Sequence, residues 1–248
     1  MKRKFLYIII AAVTSVLPSS CTKDFETINV NPTVVTDVDV RFLFTSSLEA
    51  IQTYRAGEWA YEDFEHLLSV CQMSTGQSYE VSNFVNNRYN VYYGSVLPNL
   101  FEMRKVIDKK TDKDKYQNIR AITFFAQVFM GLKVTDMSGS IPYSEANTGR
   151  ETGKYNPKYD TQQALYDIWL KELTDGIAVL QKNAADQVSF GNNDTYFRGD
   201  VTKWIKLANS LKLRIASRYQ HQDAAKATQI FKEVMADATG PMSSTDDQ

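Results

Sequence analysis

The stretch Asp200-Val201-Thr202-Lys203-Trp204-Ile205-Lys206-Leu207-Ala208-Asn209-Ser210-Leu211-Lys212-Leu213-Arg214-Ile215-Ala216 decides the fold class. Val201, Trp204, Ile205, Ala208, Leu211 and Ile215 recur at helical spacing and form one apolar face. Lys203, Lys206, Arg214 and Arg218 fall mostly off that face. Such a helix needs a protein partner on one side and water on the other. Asp200 stands where a carboxylate accepts the free amide donors of a first turn, so it is the expected N-cap. Gly199 turns the chain just before it. Asn209, within the helix, carries an amide suited to bonding a buried loop.

The same grammar recurs in both directions. Downstream, Asp223 caps a helix with Ala227, Ile230, Phe231, Val234 and Met235. Upstream, Asp160 or Thr161 caps a long helix carrying Leu165, Ile168, Trp169, Leu173, Ile177 and Leu180. Ile119, Ile122, Phe125, Phe129 and Leu132 predict another, ending before Asp136. Residues from Tyr89 to Ile107 read as helical, with Pro98 either kinking the helix or starting a new one, because proline lacks the amide donor. Ala60, Phe64, Leu67, Leu68 and Cys71 form a further face, and Thr36 with Asp39 has cap spacing before Val40, Phe42 and Leu43. Between these lie polar stretches at 72–87, a Gly-, Pro- and Tyr-rich loop at about 139–159, and a Gly/Asn-rich stretch at 191–199 with one short extended piece at most. The chain is therefore expected to be all-α, with seven or eight helices and long loops. Residues 240–248 show no helical period and read as a chain stopping in a loop rather than a docked terminus.

The first twenty residues stand apart. Lys2, Arg3 and Lys4 precede an apolar run from Phe5 to Leu17, and Ser19-Ser20 lead to Cys21. This is signal-peptide grammar, and the run is too short for a permanent bilayer-spanning helix. A cysteine at the first mature position resembles a bacterial lipobox, although Pro18 occupies the place usual for a branched aliphatic. Lipid attachment at Cys21 is expected to tether the protein to a membrane. Residues 21–35 read as the tether, and 36–248 as the helical domain. Lys23, Asp24 and Glu26 read either as a signal for the outer cell surface or as a solvated linker.

Cys21 and Cys71 are the only cysteines, so an acylated Cys21 leaves Cys71 as a buried, unpaired thiol. Beyond residue 20 the chain carries 25 cations against 29 acids, a net charge of −4. It has no basic block for nucleic acid. With only His66 and His221, a multi-histidine metal site is excluded, and no cysteine pair has zinc spacing. Neither a phosphate-binding glycine loop nor a nucleophile elbow is present. Asp63/Glu65 and Asp167/Glu172 are the available carboxylate pairs, and they read as solvated helix faces rather than glycosidase dyads. No catalytic residue or cofactor is expected.

Aromatic residues are the informative surplus: 14 Tyr, 13 Phe and 3 Trp. Tyr79, Phe84, Tyr89, Tyr92 and Tyr93 cluster in and after one polar loop, interleaved with Asn83, Asn86, Asn87 and Arg88. Sugar rings have apolar C–H faces and hydroxyl rims, which aromatic platforms with amides and a guanidinium complement. Tyr79, Asn83, Phe84, Asn87, Arg88 and Tyr89 are therefore the candidate ligand-binding residues. The alternative is that they pack helices.

Several segments together resemble one family. They are Val91-Tyr92-Tyr93-Gly94 to Leu97-Pro98-Asn99-Leu100, Gly139-Ser140-Ile141-Pro142-Tyr143-Ser144-Glu145-Ala146, and Pro157-Lys158-Tyr159-Asp160 leading into Leu165-Tyr166-Asp167-Ile168. Asp194-Thr195-Tyr196-Phe197-Arg198-Gly199-Asp200 with Lys203-Trp204 and Ala208 to Ala216 is the fullest. In this order they are similar to the SusD/RagB nutrient-binding outer membrane lipoproteins, in the SusD-like subgroup. Ser140 departs from the aspartate often found after that glycine. The resemblance implies a helical fold containing tetratricopeptide-like helix pairs. It implies a lid-like lipoprotein that captures glycans or other nutrients for a TonB-dependent SusC-like transporter in the outer membrane, without catalysis. It also implies an N-terminal portion of a longer protein, since family members are usually much longer. The alternative is a helical scaffold lipoprotein that binds only protein partners.

Overall fold

A computed structural model describes residues 39–52, 68, 72–73, 85–182 and 184–247. The signal segment, Cys21, Cys71, His66, Tyr79, Asn83 and Phe84 lie outside these residues, as does all but Leu68 of the helix read around Ala60 to Cys71. The described residues carry eight α-helices and no named strand. They are α1 (Val40–Gln52), α2 (Val85–Val91), α3 (Leu97–Lys109), α4 (Gln117–Ser138), the single turn α5 (Gly149–Thr152), α6 (Gln162–Gln181), α7 (Val201–Tyr219) and α8 (Ala224–Ala236). The all-α expectation holds. The described residues contain no helix long and apolar enough to cross a membrane.

The caps follow side-chain chemistry. Asp200 Oδ1 accepts from the amides of Thr202 and Lys203 at 2.8 and 3.1 Å. Asp223 accepts from Lys226 N, and Thr161, rather than Asp160, accepts from Ala164 N. Asp39 Oδ1 accepts from Arg41 N at the head of α1.

Pro98 stands in the first turn of a helix, the second of the two expected outcomes. α2 runs through a π-helical turn, Tyr92–Val96, directly into α3, where Pro98 occupies the first turn. Leu97 N–H reaches back to Tyr92 O, the wider spacing of a π turn. That widening comes just before the proline, where the helical ladder loses an amide donor. The helix also begins earlier than the polar composition of 72–87 suggests, at Val85.

The core lies between α4 and its neighbours. α4 packs on α6, α3 and α7, α6 packs on α7, and α7 packs on α8. α4 buries residues around its whole circumference, from Ile119 and Ile122 to Val128, Met130 and Val134. Its length to Ser138 exceeds the sequence expectation: Thr135 is buried, and the exposed Asp136 is held by Arg214 and Arg218 of α7. Trp169, Trp204, Phe44, Phe125 and Phe190 are fully buried, each contributing roughly 2–3 kcal/mol of burial. Phe44 and Phe190 stack at 3.9 Å between centroids, and Phe197 meets Trp204 edge-on at 5.0 Å.

The stretch at 191–199 holds a 3₁₀ turn, Gly191–Asn193, rather than an extended piece. The antiparallel bridge instead joins Ile141 to Asp160. Residues 240–247 are irregular, as read, but docked. Asn209 Nδ2 donates to Gly240 O, Met242 N to Ser210 Oγ, and Lys206 Nζ pairs with the buried Asp247 carboxylate at 2.5 Å. Polar side chains of α7 satisfy this segment, so it needs no apolar period.

Candidate ligand-binding site

The site is built on the loop that returns from α4 to α6. Ile141 and Asp160 exchange backbone hydrogen bonds at 3.2 and 3.0 Å. The Asp160 carboxylate then collects Tyr143 N at 3.1 Å, Ser144 N at 2.7 Å and Ser144 Oγ at 2.9 Å. One buried carboxylate thus closes the loop at its base, which leaves residues 145–159 to be displayed.

Behind the turn is a buried polar relay. Arg104 donates to Thr123 Oγ1 at 3.0 Å and Gln127 Oε1 at 2.7 Å. Gln127 Nε2 donates to the Tyr143 hydroxyl, which donates to Glu172 Oε2. Burial pushes the Glu172 carboxyl up to about 7, against the opposing pull of the Tyr143 hydroxyl and the Arg104 charge. Burial likewise raises Tyr143 and lowers Arg104. Glu172 is therefore not the solvated helix-face residue that its sequence position suggests. Asp167 is engaged separately, accepting from Tyr219 Oη at 2.8 Å and pairing with Lys226 Nζ.

In front of the turn lie three tyrosines. Tyr89 and Tyr93 are four residues apart and share a helix face, with ring centroids 4.4 Å apart. Tyr93 Oη donates to Pro142 O at 2.5 Å, which ties α2 and its π turn to the loop. The Tyr89 hydroxyl lies beside that of Tyr159, which is 63% exposed. Desolvation, with Tyr159 as neighbour, pushes Tyr89 up to about 12. Arg88 Nη1 contacts Met137 Sδ at 3.3 Å, at the end of α4 just before the loop.

Of the six sequence candidates, Asn87, Arg88 and Tyr89 are described. They occupy consecutive, half-buried positions of α2. Tyr79, Asn83 and Phe84 lie outside the described residues. Tyr92 is fully buried and belongs to the core rather than to the aromatic surface. Tyr159 is the residue that position-by-position reading missed. Its signal was the Pro157-Lys158-Tyr159-Asp160 run, in which Asp160 buries and its neighbour turns out. Among the described residues, no group of three or more His, Cys, Asp or Glu is placed to hold a metal ion.

Comparison with known proteins places this arrangement. The family model SusD-like, "Susd and RagB outer membrane lipoprotein", matches residues 65–248. A SusD homolog from Parabacteroides distasonis superposes with a TM-score of 0.72 at 20% identity, covering 85% of this chain and 41% of that one. A chitin-binding SusD homolog from Flavobacterium johnsoniae gives a TM-score of 0.67 at 23% identity, covering 84% and 44%. A SusD homolog from Bacteroides uniformis gives 0.56 at 30% identity, covering 66% and 33%. A search of curated proteins finds no match. The chain spans less than half the length of these solved structures. The family model covers well over half of this sequence, and the chain belongs to the SusD-like family of outer membrane lipoproteins.

Proposed function

We propose that the protein captures an oligosaccharide or similar nutrient at the outer surface of the outer membrane, anchored through a lipid on Cys21, and passes it to a TonB-dependent SusC-like transporter. The observation that carries the ligand half of this reading is the tyrosine platform of Tyr89, Tyr93 and Tyr159, flanked by Asn87 and Arg88 and pinned to a closed loop. Adjacent phenols supply apolar faces, and the hydroxyls, amide and guanidinium match a hydroxyl rim. Tyr79, Asn83 and Phe84, which lie outside the described residues, are candidates for the same ligand on their sequence alone. Binding without turnover is supported by the carboxylates themselves: Asp167 and Glu172 are committed to separate partners, whereas a glycosidase needs two facing one cleft.

Chito-oligosaccharides are the first ligands to test, because one structural relative is a chitin-binding protein. Calorimetry should detect binding that weakens about tenfold in Tyr89→Ala and in Tyr159→Ala, the loss typical of an aromatic anchor. Hydrolysis of the ligand that disappears on changing one carboxylate would sink the reading. Affinity isolation from membranes should recover a transporter barrel; recovery of other proteins alone, with no saccharide bound in a broad array, would favour the scaffold alternative.

A further inference from the structure

The loop that displays Tyr159 also forms one wall of a separate cleft of about 490 Å³, whose other wall is α3. Pro98, Phe101, Glu102 and Lys105 face Glu145, Asn147, Arg150, Lys154 and Tyr155 across it. Its polar groups are unevenly satisfied. Every carboxylate of the cleft already has a cation: Glu151 pairs with Lys105, Glu102 lies 3.8 Å from the same lysine, and Glu145 lies 4.0 Å from Lys158 and accepts its backbone amide. Donors are left over. Arg150 and Lys154 are exposed, and neither guanidinium nor ammonium takes part in any of these ion pairs. The Asn147 Nδ2 atom is buried without a hydrogen-bond partner among the described residues. Leaving a buried amide donor unmet is costly, so an acceptor brought by a ligand is favoured there.

The aromatic component is equally specific. Tyr155 is 77% exposed, yet its ring is seated against the backbone of Gly149. A Cβ at Gly149 would come within 3.0 Å of the ring, so the glycine permits the seat. The ring is supported on one side and open on the other, as a stacking platform requires.

We infer that this cleft is a second saccharide site, distinct from the tyrosine platform, that takes an acidic sugar residue carrying a carboxylate or a sulfate ester. The sugar ring stacks on Tyr155. Asn147 Nδ2 donates to a ring or hydroxyl oxygen, and Arg150 and Lys154 hold the anionic group. A bidentate guanidinium contact distinguishes such a group from a hydroxyl. The inference rests on the saccharide-binding reading but not on Tyr89 or Tyr159.

The test is calorimetric titration of the protein with trigalacturonate, with a sulfated chondroitin disaccharide, and with neutral galactotriose. Trigalacturonate presents carboxylates alone, whereas the chondroitin disaccharide presents a sulfate beside its uronate carboxylate, so preference for the second assigns the sulfate and equal binding of both assigns the carboxylate. At least one acidic ligand should bind more tightly than the neutral one, and the difference should shrink as salt screens the contact. Arg150→Ala combined with Lys154→Ala should weaken the acidic ligand about tenfold or more, the loss expected for charge-assisted contacts. The two substitutions lie on an exposed turn, and an unchanged melting temperature would verify the fold. Tyr155→Ala should weaken it as well. Equal affinity for neutral and acidic ligands, or no binding of either acidic ligand, overturns the inference. Loss with Tyr89→Ala but not with the Arg150/Lys154 pair also overturns it, while leaving the platform reading intact.

Discussion

Two irregular segments of this protein are each closed by one buried aspartate, and they use the closure in opposite ways. In the loop before α7, Asp194 accepts from the amides of Tyr196, Phe197 and Gly199 and from Trp204 Nε1 at 2.6 Å. Arg198 and Gly199 both adopt left-handed backbone, with φ of +54° and +82°. Gly199 also abuts Gly191 and Ser189, where a Cβ would collide with backbone. The result turns Phe197 and Trp204 into the core. In the loop before α6, Asp160 gathers Tyr143 and Ser144 in the same manner, but Tyr155 and Tyr159 turn out into solvent. One carboxylate plugs a core and the other holds up a display. The difference lies in the partners of each aspartate. The helix after Asp194 brings an indole that needs a buried acceptor. Of the groups around Asp160, Tyr143 N is buried but Ser144 is exposed, so water is within reach of the serine's amide and hydroxyl.

That contrast has measurable consequences. Asp194→Ala removes four hydrogen bonds and strands the Trp204 indole N–H in the core, so it should cost about 4 kcal/mol of unfolding free energy or prevent folding outright. Chemical denaturation of Asp194→Ala beside Asp194→Asn, which keeps one acceptor, would measure it. A loss as small as that of an ordinary surface substitution would erase the distinction between the two loops.

The next largest effect is expected in the relay behind the display loop. The Glu172 carboxyl is raised from 4.5 to about 7 in the fold, so the folded state holds this proton more tightly than the unfolded chain does. Its contribution is fully present below pH 4.5 and is lost as pH rises through 7. The shift corresponds to about 3 kcal/mol at most. Glu172→Gln keeps an acceptor for Tyr143 and removes the titration. Its unfolding free energy, compared with wild type at pH 5 and pH 8, should show the wild type gaining relative stability on the acidic side. A difference independent of pH would mean that Glu172 is solvated.

The smallest stability effect is expected at Asp160 itself. Asp160→Ala should cost about 2 kcal/mol, because the freed amide and hydroxyl of Ser144 can turn to water and only Tyr143 N is stranded. Saccharide affinity should fall more than stability suggests, since Tyr159 loses its fixed position beside Tyr89. Titration of a saccharide that binds the wild type, alongside thermal melts, separates the two readouts. Unchanged affinity with reduced stability would make the loop structural, like its counterpart at Asp194.

Helices, caps and fold class were legible in the sequence because they rest on local chemistry. A 3.6-residue period and a cap within three residues depend on near neighbours, so α6, α7, α8 and the caps Asp200 and Asp223 emerge from the chain alone, while for α6 the sequence left Asp160 or Thr161. Lateral position was less legible. α4 is covered on all sides, so its surroundings rather than its amphipathic face determine where it ends. The site was legible only in part. Arg88 and Tyr89 follow from an aromatic cluster with amides, but Tyr92 in the same cluster is core. Adjacent helix positions point about 100° apart, and only packing decides which points inward.

By itself, then, the sequence determined an all-α chain, most of its cap residues and a family resemblance carried by ordered short segments. Tertiary structure alone decided which loop buries its aromatics and which displays them. It decided that Glu172 sits in a desolvated relay, and that residues 240–247 dock on α7. The physical reason is separation along the chain. Tyr143 meets Glu172 across 29 positions and Lys206 meets Asp247 across 41. Burial and charge pairing at that range have no local period to announce them.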